Sequence, residues 1–103
     1  MSKTSIEGYR LRPAAVTDLD GIWDHTTETW GPDQADDYVQ GLVRIFDVLA
    51  DFPEIARERM EIDPPVRCHP HRSHLIIYRI EKPWLVIVRV VHARRHWAAL
   101  LEH

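Results

Sequence analysis

Cysteine is all but absent: Cys68 stands alone in 103 residues, which excludes an intrachain disulfide framework and points to a reducing, cytoplasmic setting. Long apolar runs are missing too. None exceeds that of Trp84 to Val88, which falls far short of the ~20 residues that cross a bilayer, and the N-terminus lacks the pattern of a signal peptide. No repeat and no low-complexity tract appears. Metal ligands fall short of a set: Cys68, His69, His71 and His74 crowd one loop, but a tetrahedral zinc site needs a second ligand pair from elsewhere, and only His92 and His96 offer one. We expect no metal and no cofactor, and read the loop as a basic, titratable rim at a sheet edge.

What is present is the core of one domain. Apolar residues make up 45% of the chain, enough over residues 1–103 for a single core and too little for two. The closing Leu101-Glu102-His103 resembles the start of a purification tag and is left out of the functional reading. A formal charge of −3 hides a division. Residues 1–63 hold 14 acids against 6 Lys or Arg, whereas residues 64–103 hold 2 acids against 7, with 6 of the 7 histidines. This pattern either favours a locally anionic partner or is a solvated surface with no binding role.

The chain is organised around Ser73 to His92, two runs rich in Ile, Val, Leu and Tyr split by Glu81-Lys82-Pro83, which reads as a β-hairpin. With Ile80 opposite Trp84 across a three-residue loop, alternation puts Ile76, Tyr78, Ile80, Val86, Val88 and Val90 on one face, under helices. Leu75, Ile77, Arg79, Leu85, Ile87, Arg89 and Val91 then share the other. That second face is too apolar for water and too charged for a core, so we expect something outside the chain to cover it. The alternative is a second internal layer whose arginines pair with local acids.

Tyr9 to Arg12 alternates as a short first strand. Pro13 suits the first position of a helix, and Ala15, Leu19, Ile22, Trp23, Thr26 and Trp30 recur at helical steps until Gly31-Pro32 ends it. Ala35, Tyr38, Val39, Leu42, Ile45, Phe46 and Leu49 form the stripe of a second helix, closed by Phe52-Pro53. So short a connection implies an antiparallel helical hairpin. Residues 55–65 read as a surface loop, and Val66 to His69 as an edge strand interrupted by Pro70. The order β-α-α-β-β-β predicts an α+β fold: a small, mainly antiparallel sheet with a helical hairpin packed on one face.

Two groups of residues carry possible chemistry. His92, Arg94, Arg95, His96 and Trp97 suit phosphate contacts with base stacking, or an acidic protein surface; alternatively Trp97 folds back to cap the core. Asp18, Asp20, Asp24 and Glu28 read as a solvated acidic helix face.

Taken in order, Tyr9-Arg10-Leu11-Arg12-Pro13-Ala14-Ala15, Asp18-Leu19, Ile22-Trp23, Trp30-Gly31, Ala35, Tyr38, Leu49, Phe52-Pro53-Glu54-Ile55, Arg67, Ile77-Tyr78-Arg79-Ile80, Ile87-Val88-Arg89-Val90-Val91-His92 and Arg94-Arg95 resemble the ParE branch of the RelE/ParE toxin superfamily, over residues 9 to 97. The resemblance implies a RelE/ParE-like fold and the toxin of a type II toxin-antitoxin system, neutralised by a ParD-like antitoxin. It implies poisoning of DNA gyrase rather than cleavage of messenger RNA, and contact with DNA only through the antitoxin. An acidic antitoxin segment would lie across Leu75, Ile77, Arg79, Leu85, Ile87, Arg89 and Arg94, leaving His92, Arg94, Arg95, His96 and Trp97 for the target. The ribonuclease branch has a basic residue at the start of its third strand and a tyrosine or histidine after the last. Here those places hold His74-Leu75 and, nearby, Trp97, so the expectation is a non-enzymatic poison. A RelE-like endoribonuclease, or an inactive homologue acting as a binding module, are the alternatives.

Overall fold

Pro13 and Pro32 each open a helix, at the position where a missing N–H costs nothing. The structure, a computed structural model that describes residues 6–101, has helix α1 at Pro13–Trp30 and helix α2 at Pro32–Asp51. Gly31 separates them with a backbone φ of 93°, a conformation open to glycine, and its N–H closes α1 on the Thr27 carbonyl. The helices pack as an antiparallel hairpin, pinned by a 2.8 Å bond from the Trp23 indole N–H to the Asp36 carboxylate. Strands β1 (Gly8–Leu11), β2 (Glu58–Arg59), β3 (Val66–His71), β4 (His74–Glu81) and β5 (Trp84–His92) form one sheet in the order β1-β5-β4-β3-β2. β1 joins the far edge, parallel to β5, and the other pairings are antiparallel. β3 runs through Pro70 to His71, and β2 pairs with its first two residues inside the segment expected to be loop.

The hairpin differs from expectation in register. Glu81 pairs with Trp84 across a two-residue turn, so Tyr78 lies opposite Ile87 and Ile80 opposite Leu85. A slip of one residue turns every side chain to the other face. Leu85 and Ile87, expected on the partner-binding face, therefore pack beneath the helices with Ile76, Tyr78, Leu42, Phe46 and Leu49, while Val86 and Val88 occupy the opposite face. A bulge at Val88 then adds a residue, so that Ile77 pairs with Arg89 and Ile76 with Val90. The bulge restores the expected faces for Arg89, Val90 and Val91.

The helix-side core is closed at one end by Tyr78, fully buried, whose hydroxyl donates to the Pro53 carbonyl at 2.8 Å. The second face is not left bare. Ile62 and the short 3-10 helix Trp97–Leu101 lie over Val66, Ile77, Val86, Val88 and Val91, so the chain supplies much of the cover that we expected from outside. No helix among the described residues is long and apolar enough to cross a membrane.

Candidate interaction surface

Arg79 is the centre of the second face. It leaves β4 on the side away from the helices, its side chain 17% exposed, and pairs with Glu81 two residues on at 3.0 Å. Glu81 also receives Arg12 at 3.4 Å. Two clefts meet at Arg79: one of about 350 Å³ towards Glu58, Pro64 and Arg67, the other of about 390 Å³ towards Arg12, Ile62 and Leu101. A guanidinium ion-paired with Glu81, between clefts of mixed polar and apolar lining that also hold Glu58, Asp63 and three further arginines, suits an extended acidic and apolar segment.

Arg89 lies on the same face as Arg79 but is already engaged. Its Nε and Nη2 donate to the two carboxylate oxygens of Asp18 at 2.7 and 2.8 Å, with side chains 19% and 12% exposed. The backbone N–H of Val90 donates to the same carboxylate at 2.9 Å. β1 ends opposite Ile87, so beyond it the edge of β5 is open, and Asp18 from α1 satisfies it. Hydrogen bonding to this carboxylate holds the Arg89 guanidinium still more firmly protonated. The expected solvated face thus keeps Asp20, Asp24 and Glu28, all exposed, but loses Asp18. Its position carries a signal: Asp18 stands three residues after Ala15 and four before Ile22, on the helix stripe that faces the core.

The remaining expected residues separate. Ile77 is fully buried and Leu75 partly so. Of the tail residues, His92, Arg94, Arg95 and His96 are exposed, and His92 does not meet Trp97. The His92 ring lies 5.5 Å from that of His74, while Trp97 is folded against the second face with the Arg59 guanidinium 5.8 Å above its ring. Arg94 donates its backbone N–H to His92 Nδ1 at 3.1 Å. Nor do Cys68 and the loop histidines gather: among the described residues no three His, Cys, Asp or Glu side chains are placed to hold a metal ion. Burial raises the Cys68 thiol pKa, and its Arg59 neighbour opposes the rise. Cys68 is therefore a poor nucleophile.

A family model described as ParE toxin of type II toxin-antitoxin system, parDE, matches residues 9–97. The chain belongs to the ParE toxin family. Toxin ParE1 of Mycobacterium tuberculosis (strain H37Rv) is 40% identical over 87 residues, spanning 84% of this chain and 89% of that protein. Toxin ParE1 of Caulobacter vibrioides is 33% identical over 92 residues, spanning 85% and 95%. A solved structure titled as the chromosomal ParDE TA system from P. aeruginosa shares the fold with a TM-score of 0.75 at 23% identity, over 87% of this chain and 98% of that one. As a ParE-family toxin, the chain is the toxin of a toxin-antitoxin pair and has an antitoxin for a partner.

Proposed function

We propose that this ParE-family toxin arrests growth by binding and poisoning DNA gyrase, and that a ParD-like antitoxin neutralises it by laying an acidic, partly apolar segment over the second face. The observation that carries the antitoxin half is Arg79, paired among the described residues with Glu81 alone, between two clefts on the face of Leu75 and Ile77. The gyrase half rests on family membership. It is supported by the separation of His92 from Trp97, which lie on opposite faces of the sheet and so do not form one ribonuclease centre.

The direct test adds purified toxin to gyrase: supercoiling falls and cleaved DNA accumulates, whereas gyrase unaffected at saturating toxin refutes the proposal. Primer extension on messenger RNA after induction gives no new 5′ ends if the toxin is not a nuclease. Growth with and without the neighbouring antitoxin frame identifies an inactive homologue. For the antitoxin face, Arg79→Glu weakens binding by about tenfold or more, because charge reversal at a partly desolvated site replaces attraction with repulsion. Unchanged affinity in a titration removes Arg79 from the interface. Arg89→Glu is a poorer probe, since it also breaks the internal pair with Asp18.

A further inference from the structure

On the helix side, at the end of the sheet away from the hairpin turn, lies a cleft unconnected with the surface above. It has a volume of about 450 Å³ and is lined by His25, Trp30, Tyr38, Arg72, His74 and His92, with two hydroxyls and an amide besides and no carboxylate. We propose that this cleft binds the phosphate of a nucleotide, with Arg72 and the histidines on the phosphate and Trp30 against the base.

Three arrangements converge on that ligand. Arg72 stands in the β3–β4 turn at a backbone φ of 54° and, among the described residues, makes no ion pair. Its five donors are free for an anion, for which a guanidinium is geometrically suited. The histidines come from three separate elements, His25 from α1, His74 from β4 and His92 from β5, and the rings of the last two meet edge to face at 5.5 Å. The lining of this cleft holds no carboxylate, Asp37 belonging to the adjoining cleft that Arg72 also lines, so an anion is the ligand that its donors and basic groups favour. Trp30 ends α1 with 67% of its surface exposed. A large ring with no core to fill, beside a phosphate site, is the platform on which bases stack.

The groups around His74 fix the pH behaviour. His25 faces it from α1, the Tyr38 hydroxyl from α2 at 2.7 Å from Nδ1, His71 from β3 and His92 from β5. The adjoining cleft beyond Tyr38 is lined by Asp37, Arg44 and His71. Burial first, and then His92, His71 and His25, resist protonation of His74. A bound anion reverses the repulsion, so binding takes up protons and tightens as pH falls.

The test titrates the full chain with adenosine 5′-monophosphate, reading imidazole NMR signals and tryptophan fluorescence. The ring signals of His25, His74 and His92 shift saturably and that of His96 does not, while inorganic phosphate moves the same rings more weakly. Arg72→Asn, which tolerates a positive φ, weakens the nucleotide by about tenfold, the scale of one charge-assisted contact. Trp30→Ala lowers nucleotide affinity towards that of phosphate and leaves phosphate unchanged. A dinucleoside phosphodiester, whose charge stays fixed over the range, binds tighter at about pH 6 than at about pH 8 as the histidines charge. Whether it or the monophosphate binds better tells a strand from a free nucleotide, and either order supports the site. Rings that stay still at about 10 mM nucleotide, well above a millimolar dissociation constant, or shifts unaltered in Arg72→Asn, overturn the proposal. Gyrase inhibition is measured separately, so the two readings fail independently.

Discussion

His74 is half-buried, and its Nδ1 lies 2.7 Å from the Tyr38 hydroxyl. In the neutral ring protonated at Nε2, Nδ1 accepts that bond; in the charged ring both nitrogens donate, and Tyr38 must turn round. Burial, and the neighbouring His92, His71 and His25, lower its pKa below the usual value, and burial lowers those of His69 and His71 in the same direction. The unfolded chain therefore binds more protons than the folded one between the two pKa values. Stability is complete above the unfolded value of about 6.5 and is lost as pH falls through it. We expect the urea midpoint to drop between about pH 7.5 and 5.5, and His74→Gln to flatten part of that slope. A midpoint that holds or rises on acidification would contradict this account. The sequence shows the crowded histidines, and so the titratable rim. It does not show which ring is enclosed, because Tyr38 and His25 reach His74 only through packing of the helices.

At the scale of elements, both helices and their turn are legible, since Pro13, Gly31, Pro32 and Pro53 mark the boundaries and the apolar stripe of α2 is buried where its periodicity predicts. The hairpin is legible as a hairpin and illegible in register. Glu81-Lys82-Pro83 admits loops of two or three residues, and the bulge at Val88 leaves no mark where valines and isoleucine surround it on all sides but that of Arg89. So half of β5 was expected on the wrong face, and with it Leu85 and Ile87. The tie between α1 and β5 was hidden for another reason: Asp18 and Arg89 are 71 residues apart in sequence. Asp18→Ala leaves the Arg89 guanidinium and the Val90 N–H without a partner, and should cost about 3–5 kcal/mol. Arg89→Met alone leaves Asp18 with its Val90 bond, and the double variant should recover the part of the loss due to the unpaired guanidinium, the Val90 N–H staying unpaired. Denaturant melts of the four proteins in this cycle decide it; additive effects would mean that the two side chains do not support each other.

For the whole molecule, the two faces of the sheet have unlike cover. One carries twenty residues of α2 together with α1; the other carries Ile62 and five residues of 3-10 helix. A cover of so few residues opens at less cost than one of two long helices, and it lies beside Arg79, where the antitoxin is proposed to bind. The tail is then both lid and candidate target contact, so its removal does more than delete Arg94, Arg95, His96 and Trp97. Truncation after His92 uncovers Ile77, Val86, Val88 and Val91, each at most 9% exposed in the intact chain. Apolar burial is worth about 25 cal/mol per Å², so uncovering even 100 Å² or so removes about 2–3 kcal/mol from a domain whose total is commonly about 5–15 kcal/mol. We expect the truncated chain to bind a hydrophobic dye, to melt several degrees lower, and to be stabilised by antitoxin more than the full chain is. Equal melting of the two chains would mean that Trp97 to Leu101 lies on the sheet without holding it, and would leave loss of toxicity on truncation to the basic tail itself.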